Sequence, residues 1–238
     1  MSWLALDTAT DRVSVALGDG VSDALEEELA GARRHASALL PLVDRLLARA
    51  HLTLDTVGGL LLSDGPGSFT GLRVGASVAK ALARARGLKV RTAASLMVRA
   101  GAHARPGEIT LALADALRGE VYAAAYRFSA DRVETLLPPS VWRPERLIAE
   151  GPRPDRIVGD GPPAALARLG EWAGTVVSGA EALPRAAFLL ELRHRVDGTR
   201  PIASLDLWEP EYGRPAEAQA RWELAHGRPL PDSARSAG

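Results

Sequence analysis

The sequence predicts an α/β protein built from two related lobes, and three observations predict it. The first hundred residues read as three strands followed by alternating helices and strands, βββαβαβα. After Arg105-Pro106-Gly107 a second meander begins, again followed by helical and strand segments. The length of 238 residues accommodates one large domain or two modest ones.

Trp3–Asp7 is a short apolar run that ends in an acid, and Arg12–Leu17 alternates as a second strand. Gly18-Asp19-Gly20 supplies a turn into a third strand at Asp23–Leu29, completing a meander. Arg33–Ala50 carries Leu39, Leu40, Val43, Leu46, Leu47 and Ala50 at helical spacing. Pro41 falls inside it, so the helix is expected to begin near Leu39 or to bend there. Val57–Ser63 reads as a buried strand, Leu72–Arg86 as a buried helix and Leu88–Thr92 as another strand. Ser95 is placed to cap a helix at Leu96–Ala104. Beyond the boundary, strands are expected at Ile109–Ala114, Val121–Phe128, Val133–Leu137 and Arg156–Gly159, with Pro138-Pro139 and Pro144 breaking the pattern. Helices follow at Pro163–Leu169, Ala182–Val196 and Pro215–Ala225. The expected division is a first lobe over 1–104, joined by the helix from about 181–197, and a second lobe over 105–180. A closing segment over 198–228 and a disordered tail over 229–238 complete the chain.

Twenty-nine basic and 29 acidic residues cancel, which removes the simple electrostatic case for autonomous nucleic-acid binding. Lysine occurs only at Lys80 and Lys89, an arginine bias that reads as codon usage. No cysteine is present, so disulfides, thiolate catalysis and cysteine-held metals are excluded, in keeping with a cytoplasmic location. The opening Met1–Asp7 lacks a basic leader region, and no apolar run approaches the roughly 20 residues that span a bilayer.

Two segments invite chemistry. Gly65-Pro66-Gly67-Ser68-Phe69-Thr70-Gly71 joins a strand to a helix N-terminus, where free N–H groups favour anions. It matches neither standard phosphate motif. Leu72-Arg73 stands where a P-loop places lysine and a hydroxyl, and Thr70 takes the place of the third glycine of G-x-G-x-x-G. The plain alternative is a tight turn packing helix onto sheet. Asp7-Thr8-Ala9-Thr10, between two strands, suits phosphate or a metal-bound water, or simply a capped turn. The five histidines show no metal-ligand spacing, and Ser68 lacks the G-x-S-x-G of a hydrolase elbow. Asp115, Arg118 and Glu120 form a charged turn.

The nonapeptide from Gly65 to Arg73 resembles the hallmark of the TsaB (YeaZ) family, which takes part in making threonylcarbamoyladenosine on tRNA. Leu4–Thr8 with Val13–Leu17 resembles the family's opening hairpin, and Arg34–Pro41 its first helix. Lys80-Ala81-Leu82-Ala83 follows the loop as in the family. Asp115–Tyr122 resembles D-A-R-x-x-E-V-Y, with Leu117 in place of the arginine, and Pro210–Arg214 resembles P-x-Y-x-R. The resemblance spans roughly residues 3–214 and is thin from about 130 to 205.

It implies the two-lobed fold of actin, Hsp70 and sugar kinases. It also implies a non-catalytic scaffold or activator for the catalytic paralogue TsaD, within an assembly that recruits the ATPase TsaE and tRNA. That assembly transfers a threonylcarbamoyl group from an adenylate to adenine N6 beside the anticodon; a separate enzyme makes the adenylate from threonine, bicarbonate and ATP. No catalytic residue, metal or cofactor of its own is expected, with ATP placed at the partner interface or elsewhere in the complex. TsaD carries a metal-binding H-x-x-x-H after its fifth strand, and the aligned positions here are Ser95 and Arg99. The implied interface uses the helices around 37–50 and 71–86, with His35, Leu39, Leu46, Val74 and Val78 as candidate contacts, burial inside the lobe's own core being the plain alternative for the four apolar ones. The same faces would serve a homodimer in isolation. Asp7, Thr8, Thr10, Gly65, Gly67, Ser68, Thr70, Gly71 and Arg73 form the candidate phosphate or interface loop. The competing expectation is a stand-alone ATP-binding enzyme of the same fold. Ala9, where the D-x-G-[ST] pattern needs glycine, argues against it.

Overall fold

Two sheets, each opening as an antiparallel meander and continuing in parallel, organise the chain. The computed structural model describes residues 1–31 and 35–213. The first sheet contains β1 (Trp3–Asp7), β2 (Arg12–Gly18), β3 (Leu25–Ala30), β4 (Gly59–Ser63) and β5 (Lys89–Ala93). Their order is β3-β2-β1-β4-β5, with the two-residue β11 (Arg200–Pro201) added beside β5. The second contains β6 (Ile109–Asp115), β7 (Val121–Phe128), β8 (Val133–Trp142), β9 (Arg156–Gly159) and β10 (Thr175–Val177), ordered β8-β7-β6-β9-β10. Counted within each lobe, both orders are 3-2-1-4-5. The echo between the halves is therefore a repeated topology.

Helices α1 (His35–Arg49) and α2 (Phe69–Arg86) cover one face of the first sheet. Leu39, Leu42, Val43 and Leu46 of α1 are buried with Leu4, Leu6, Leu60 and Leu62. That burial decides the helix: it starts at His35, and Pro41 sits inside it on the solvent side. The Ser68 hydroxyl caps α2 by accepting from Gly71 N at 3.2 Å, and Gly87 ends it in the left-handed region. Helices α4 (Pro144–Glu150) and α5 (Pro163–Trp172) belong to the second lobe, whose apolar cluster joins Leu147 and Leu169 to Leu111, Val121 and Ile157.

The remaining two helices cross over. α3 (Ser95–Gly101) follows the first sheet but packs on β6 and β7, while α6 (Ala186–Leu192) follows the second and packs on β1, β2 and β4. They share one buried cluster containing Ala5 and Leu61 of the first sheet and Ala112, Ala124 and Tyr126 of the second. One core thus spans both lobes.

Several expectations shift. β8 runs through Pro138-Pro139 instead of stopping at Leu137. It is an edge strand, and the register slips opposite Ala124, so neither proline breaks a ladder in a sheet centre. Pro144 opens α4, which the sequence had shown only as a break. The helix expected over 182–196 is shorter, preceded by a 3₁₀ turn at Gly179–Ala182. Ser95 is the first residue of α3, not its cap. The expected helix at 215–225, the tail at 229–238, Arg214 and the side chain of His35 lie outside the described residues. No helix among the described residues is long and apolar enough to cross a membrane.

Candidate functional site

The glycine loop and the turn after β1 meet at the carboxyl ends of β1 and β4, a usual position for ligands in such sheets. Ser68 N donates to Ala9 O at 2.8 Å, Gly65 N donates to Ser95 Oγ at 2.9 Å, and Ser95 N returns a bond to Gly65 O at 2.8 Å. Gly71 N is taken by Ser68 Oγ and Leu72 N by Ser68 O. The Gly65–Pro66 peptide is cis.

The glycines here are set by close approach. A Cβ on Gly67 would lie 3.0 Å from Ala9 Cβ and closer still to Ala9 O. One on Gly65, whose φ is +113°, would overlap Glu211 O. One on Gly75 would run into Thr8 Oγ1. The loop is packed against backbone on both sides.

Asp7 and Thr8 are buried beneath it. Asp7 Oδ1 accepts from Ala9 N at 3.2 Å, the geometry of a capped turn. Its Oδ2 and the Thr8 hydroxyl have no hydrogen-bond partner among the described residues. Burial pushes the Asp7 carboxyl up, opposed by Ser63, the Ala9 N–H, Arg99 and Arg12. Thr10 is turned away, bonded through its hydroxyl to the backbone of Arg12. Thr70 is exposed, and Arg73 stacks over Phe69 at 4.3 Å, with Tyr212 4.6 Å beyond Phe69.

Arg99 on α3 is a buried cation. Arg99 donates to Leu113 O at 2.6 Å and to Asp160 at 3.2 Å, bridging α3 to the second lobe. Among the described residues no three His, Asp or Glu side chains are arranged to hold a metal ion.

The interface candidates divide. Leu39 and Leu46 are completely buried in the first-lobe core and offer a partner no surface, which corrects that expectation. Their helical spacing marks the inner face of α1. Val74 and Val78 are half-buried at the outer edge of the same cluster. The outer face itself presents Leu40, Asp44 and Ala48 on α1 and Ser77 and Ala81 on α2.

Sequence reasoning missed an ionic cluster beside the loop. Buried Asp64 pairs with Arg200 at 2.7 Å, and Arg200 also reaches Glu211 at 2.5 Å. Glu211 N donates to Asp64 O at 2.7 Å, so the 208–213 segment is tied across the loop's base. Asp64, at the end of β4, was visible as an acid closing an apolar strand. Arg200 carried no such signal, because its partner is 136 residues away.

A family model described as "TsaD: tRNA N6-adenosine threonylcarbamoyltransferase" matches residues 28–183, more than half of the chain. The tRNA threonylcarbamoyladenosine biosynthesis protein TsaB of Escherichia coli (strain K12) is 33% identical over 226 residues, covering 90% of this chain and 95% of that one. A Pseudomonas aeruginosa crystal structure, described as similar to peptidase YEAZ, superposes with a TM-score of 0.74 at 28% identity, over 90% of this chain and 99% of that one. A second, YeaZ from Pseudomonas aeruginosa, gives 0.69 at 31% identity over 81% and 90%. With the repeated lobes and the Gly65–Arg73 loop in place, these matches make the chain a member of the TsaB (YeaZ) family of tRNA threonylcarbamoyladenosine biosynthesis proteins.

Proposed function

We propose that the chain is a scaffold or activator subunit that docks on a TsaD-like paralogue and makes no bonds itself. The observation carrying this reading is how Ser95 and Arg99, which the resemblance aligns with the paralogue's two histidines, are engaged. Ser95 is committed to the backbone of Gly65, and Arg99 is buried on Leu113 O and Asp160. A buried guanidinium there opposes a divalent ion.

The docking surface is the outer face of α1 and α2, with Leu40, Val74, Ser77, Val78 and Ala81 as contacts. Threonylcarbamoyl transfer to adenine N6 takes place on the partner, and the TsaE-like ATPase and tRNA join through the assembly. Any ATP near this chain is shared at the interface. The stand-alone ATP-binding reading is disfavoured because the N–H groups of Gly65, Ser68 and Gly71 are already bonded internally.

The test mixes the full chain with TsaD of the same organism and measures mass by size exclusion with light scattering, alongside tRNA modification. An equimolar complex is expected, with modification only when both are present. Leu40→Glu and Ala81→Glu lie on the outer face and are expected to abolish the complex while leaving the fold intact. Absence of a complex, with ATP hydrolysis by this chain alone, overturns the scaffold reading in favour of the lone enzyme.

A further inference from the structure

Four cations lie on α2: Arg73, Lys80, Arg84 and Arg86. Three are paired within the chain, Lys80 with Glu209 at 3.1 Å, Arg86 with Asp55 at 3.2 Å and Arg84 with Asp206. Arg73 has no carboxylate within ion-pair distance among the described residues. The acids that end the closing segment are engaged elsewhere. Glu209 holds Lys80 and accepts from the Tyr212 hydroxyl at 3.3 Å, while Glu211 accepts from Arg200 at 2.5 Å.

Arg73 is exposed yet held in place. Its guanidinium lies 4.3 Å over the Phe69 ring and 5.8 Å from that of Tyr212, and the two rings are 4.6 Å apart. Both rings are anchored by their backbone. Phe69 opens α2, Glu211 N donates to Asp64 O at 2.7 Å, and a Cβ on Gly213 would meet Pro66 at 2.9 Å. Stacking uses the face of a guanidinium and leaves its N–H groups to donate in the plane.

Arg73, Ser77 and Ala81 recur every four residues and are all exposed, so they share one stripe on the outer face of α2. Ser77 and Ala81 are small enough for a second helix to pack closely. A helix seated there would strip water from the guanidinium, which opposes docking unless the guanidinium meets an acid. A nucleic-acid backbone fits less well. It is held by several cations together, and Lys80 and Arg84 are already neutralised.

We infer that Arg73 is a specificity contact of the docking face, donating to an Asp or Glu carboxylate on the helix that a TsaD-like partner lays across Ser77 and Ala81. The inference rests on the docking reading above and adds to it the charge that the partner's helix carries.

The experiment titrates the partner of the same organism into the full chain by calorimetry, for the wild type and for Arg73→Gln, Arg73→Lys and Arg73→Glu. Arg73→Gln is expected to melt with the wild type and to weaken the complex about tenfold or more, with a flatter salt dependence. Arg73→Lys keeps the charge without the flat fork and is expected to recover only part. Arg73→Glu is expected to be weakest, and one single Asp→Arg or Glu→Arg change on the partner's docking helices is expected to restore it. No complex with the wild-type chain overturns the docking reading and this inference with it. A wild-type complex that Arg73→Gln matches in affinity overturns this inference alone. If that variant instead weakens tRNA binding by the assembled complex, the acceptor is a phosphate. A melting temperature of Arg73→Gln several degrees below the wild type also overturns it, because the arginine then has its partner within its own chain. So does a scan in which no partner variant restores Arg73→Glu.

Discussion

Gly67→Ala separates a packed glycine loop from an open phosphate cradle. In the structure the new methyl would press on Ala9 Cβ at 3.0 Å and overlap Ala9 O. Ala9 O is also the acceptor for Ser68 N at 2.8 Å, at the residue that caps α2. Relief requires the loop to move off Ala9, which lengthens that bond and tilts the cap. Overpacking costs about 1–3 kcal/mol and a weakened hydrogen bond about 1 kcal/mol. A net loss of about 2–3 kcal/mol lowers the melting temperature by about 4–12 °C in a chain of this size. The control is Gly87→Ala, where the added atom meets nothing within 4 Å and only the φ of +64° is strained, at about 1 kcal/mol. Thermal and urea unfolding of both variants give the comparison. If Gly67→Ala melts with the wild type, the loop is not closed on Ala9. The space would then be open to a phosphate, and the packing argument against a lone nucleotide site fails.

Leu39→Ala empties part of the first-lobe core and is expected to cost about 2–5 kcal/mol in urea unfolding, without changing partner affinity at permissive temperature. Leu40→Glu, one residue on and 45% exposed, is expected to keep stability within about 0.5 kcal/mol. Arg99→Ala strips a partner from Leu113 O and Asp160 and is expected to cost about 3 kcal/mol by urea unfolding, with Arg99→Lys restoring only part because one ammonium replaces the planar fork. Asp7→Asn reports on burial through pH. Because the folded carboxyl is raised above its unfolded value, the folded state binds the proton more tightly, and stability falls as pH climbs from the unfolded pKa through the folded one. Asn removes that penalty, so the variant is expected to melt above the wild type at pH 7.5, with the gap closing toward pH 4. A gap that is constant with pH would mean Asp7 is not charged at a cost.

The fold was legible wherever burial is periodic. The inner face of α1 and the strands β1, β2, β4, β6 and β7 are spelled by their own residues, because each has one or two faces in a core. β10 and β11 were invisible: three and two residues long, they are strands only through neighbours distant in sequence. β8 was cut short because proline is read locally, while its tolerance there depends on the strand being at an edge. At the site, the loop and Asp7 stood out by composition, yet their contact could not be read, since Ala9 O to Ser68 N is a backbone bond with no side-chain signature. Leu39 and Leu46 show the limit most sharply. An apolar stripe says that a helix face is covered, not whether its own lobe or another chain covers it.

The crossed helices bear on why this subunit would act through surface. In a two-lobed nucleotide enzyme, catalysis depends on lobes that open and close over a ligand. Here α3 of the first lobe is embedded on the second sheet and α6 of the second on the first, within one shared cluster. Arg12 ties the β2 edge to Leu183 O and Pro184 O at 2.8 and 3.0 Å, just before α6. Arg99 ties α3 to Asp160, and the 208–213 segment is bonded across the loop's base. Opening the lobes would expose Ala112, Ala124, Leu189 and Leu190 to water. A chain held shut in this way is poorly suited to a catalytic cycle of opening and closing. It is well suited to presenting α1 and α2 at a fixed angle. Hydrogen exchange provides the check: amides of α3 and α6 should exchange only with global unfolding, at the same free energy as β1 and β4. Faster exchange in α3 and α6 than in those strands would show that the lobes part in the native state, and the rigid-scaffold argument would be lost.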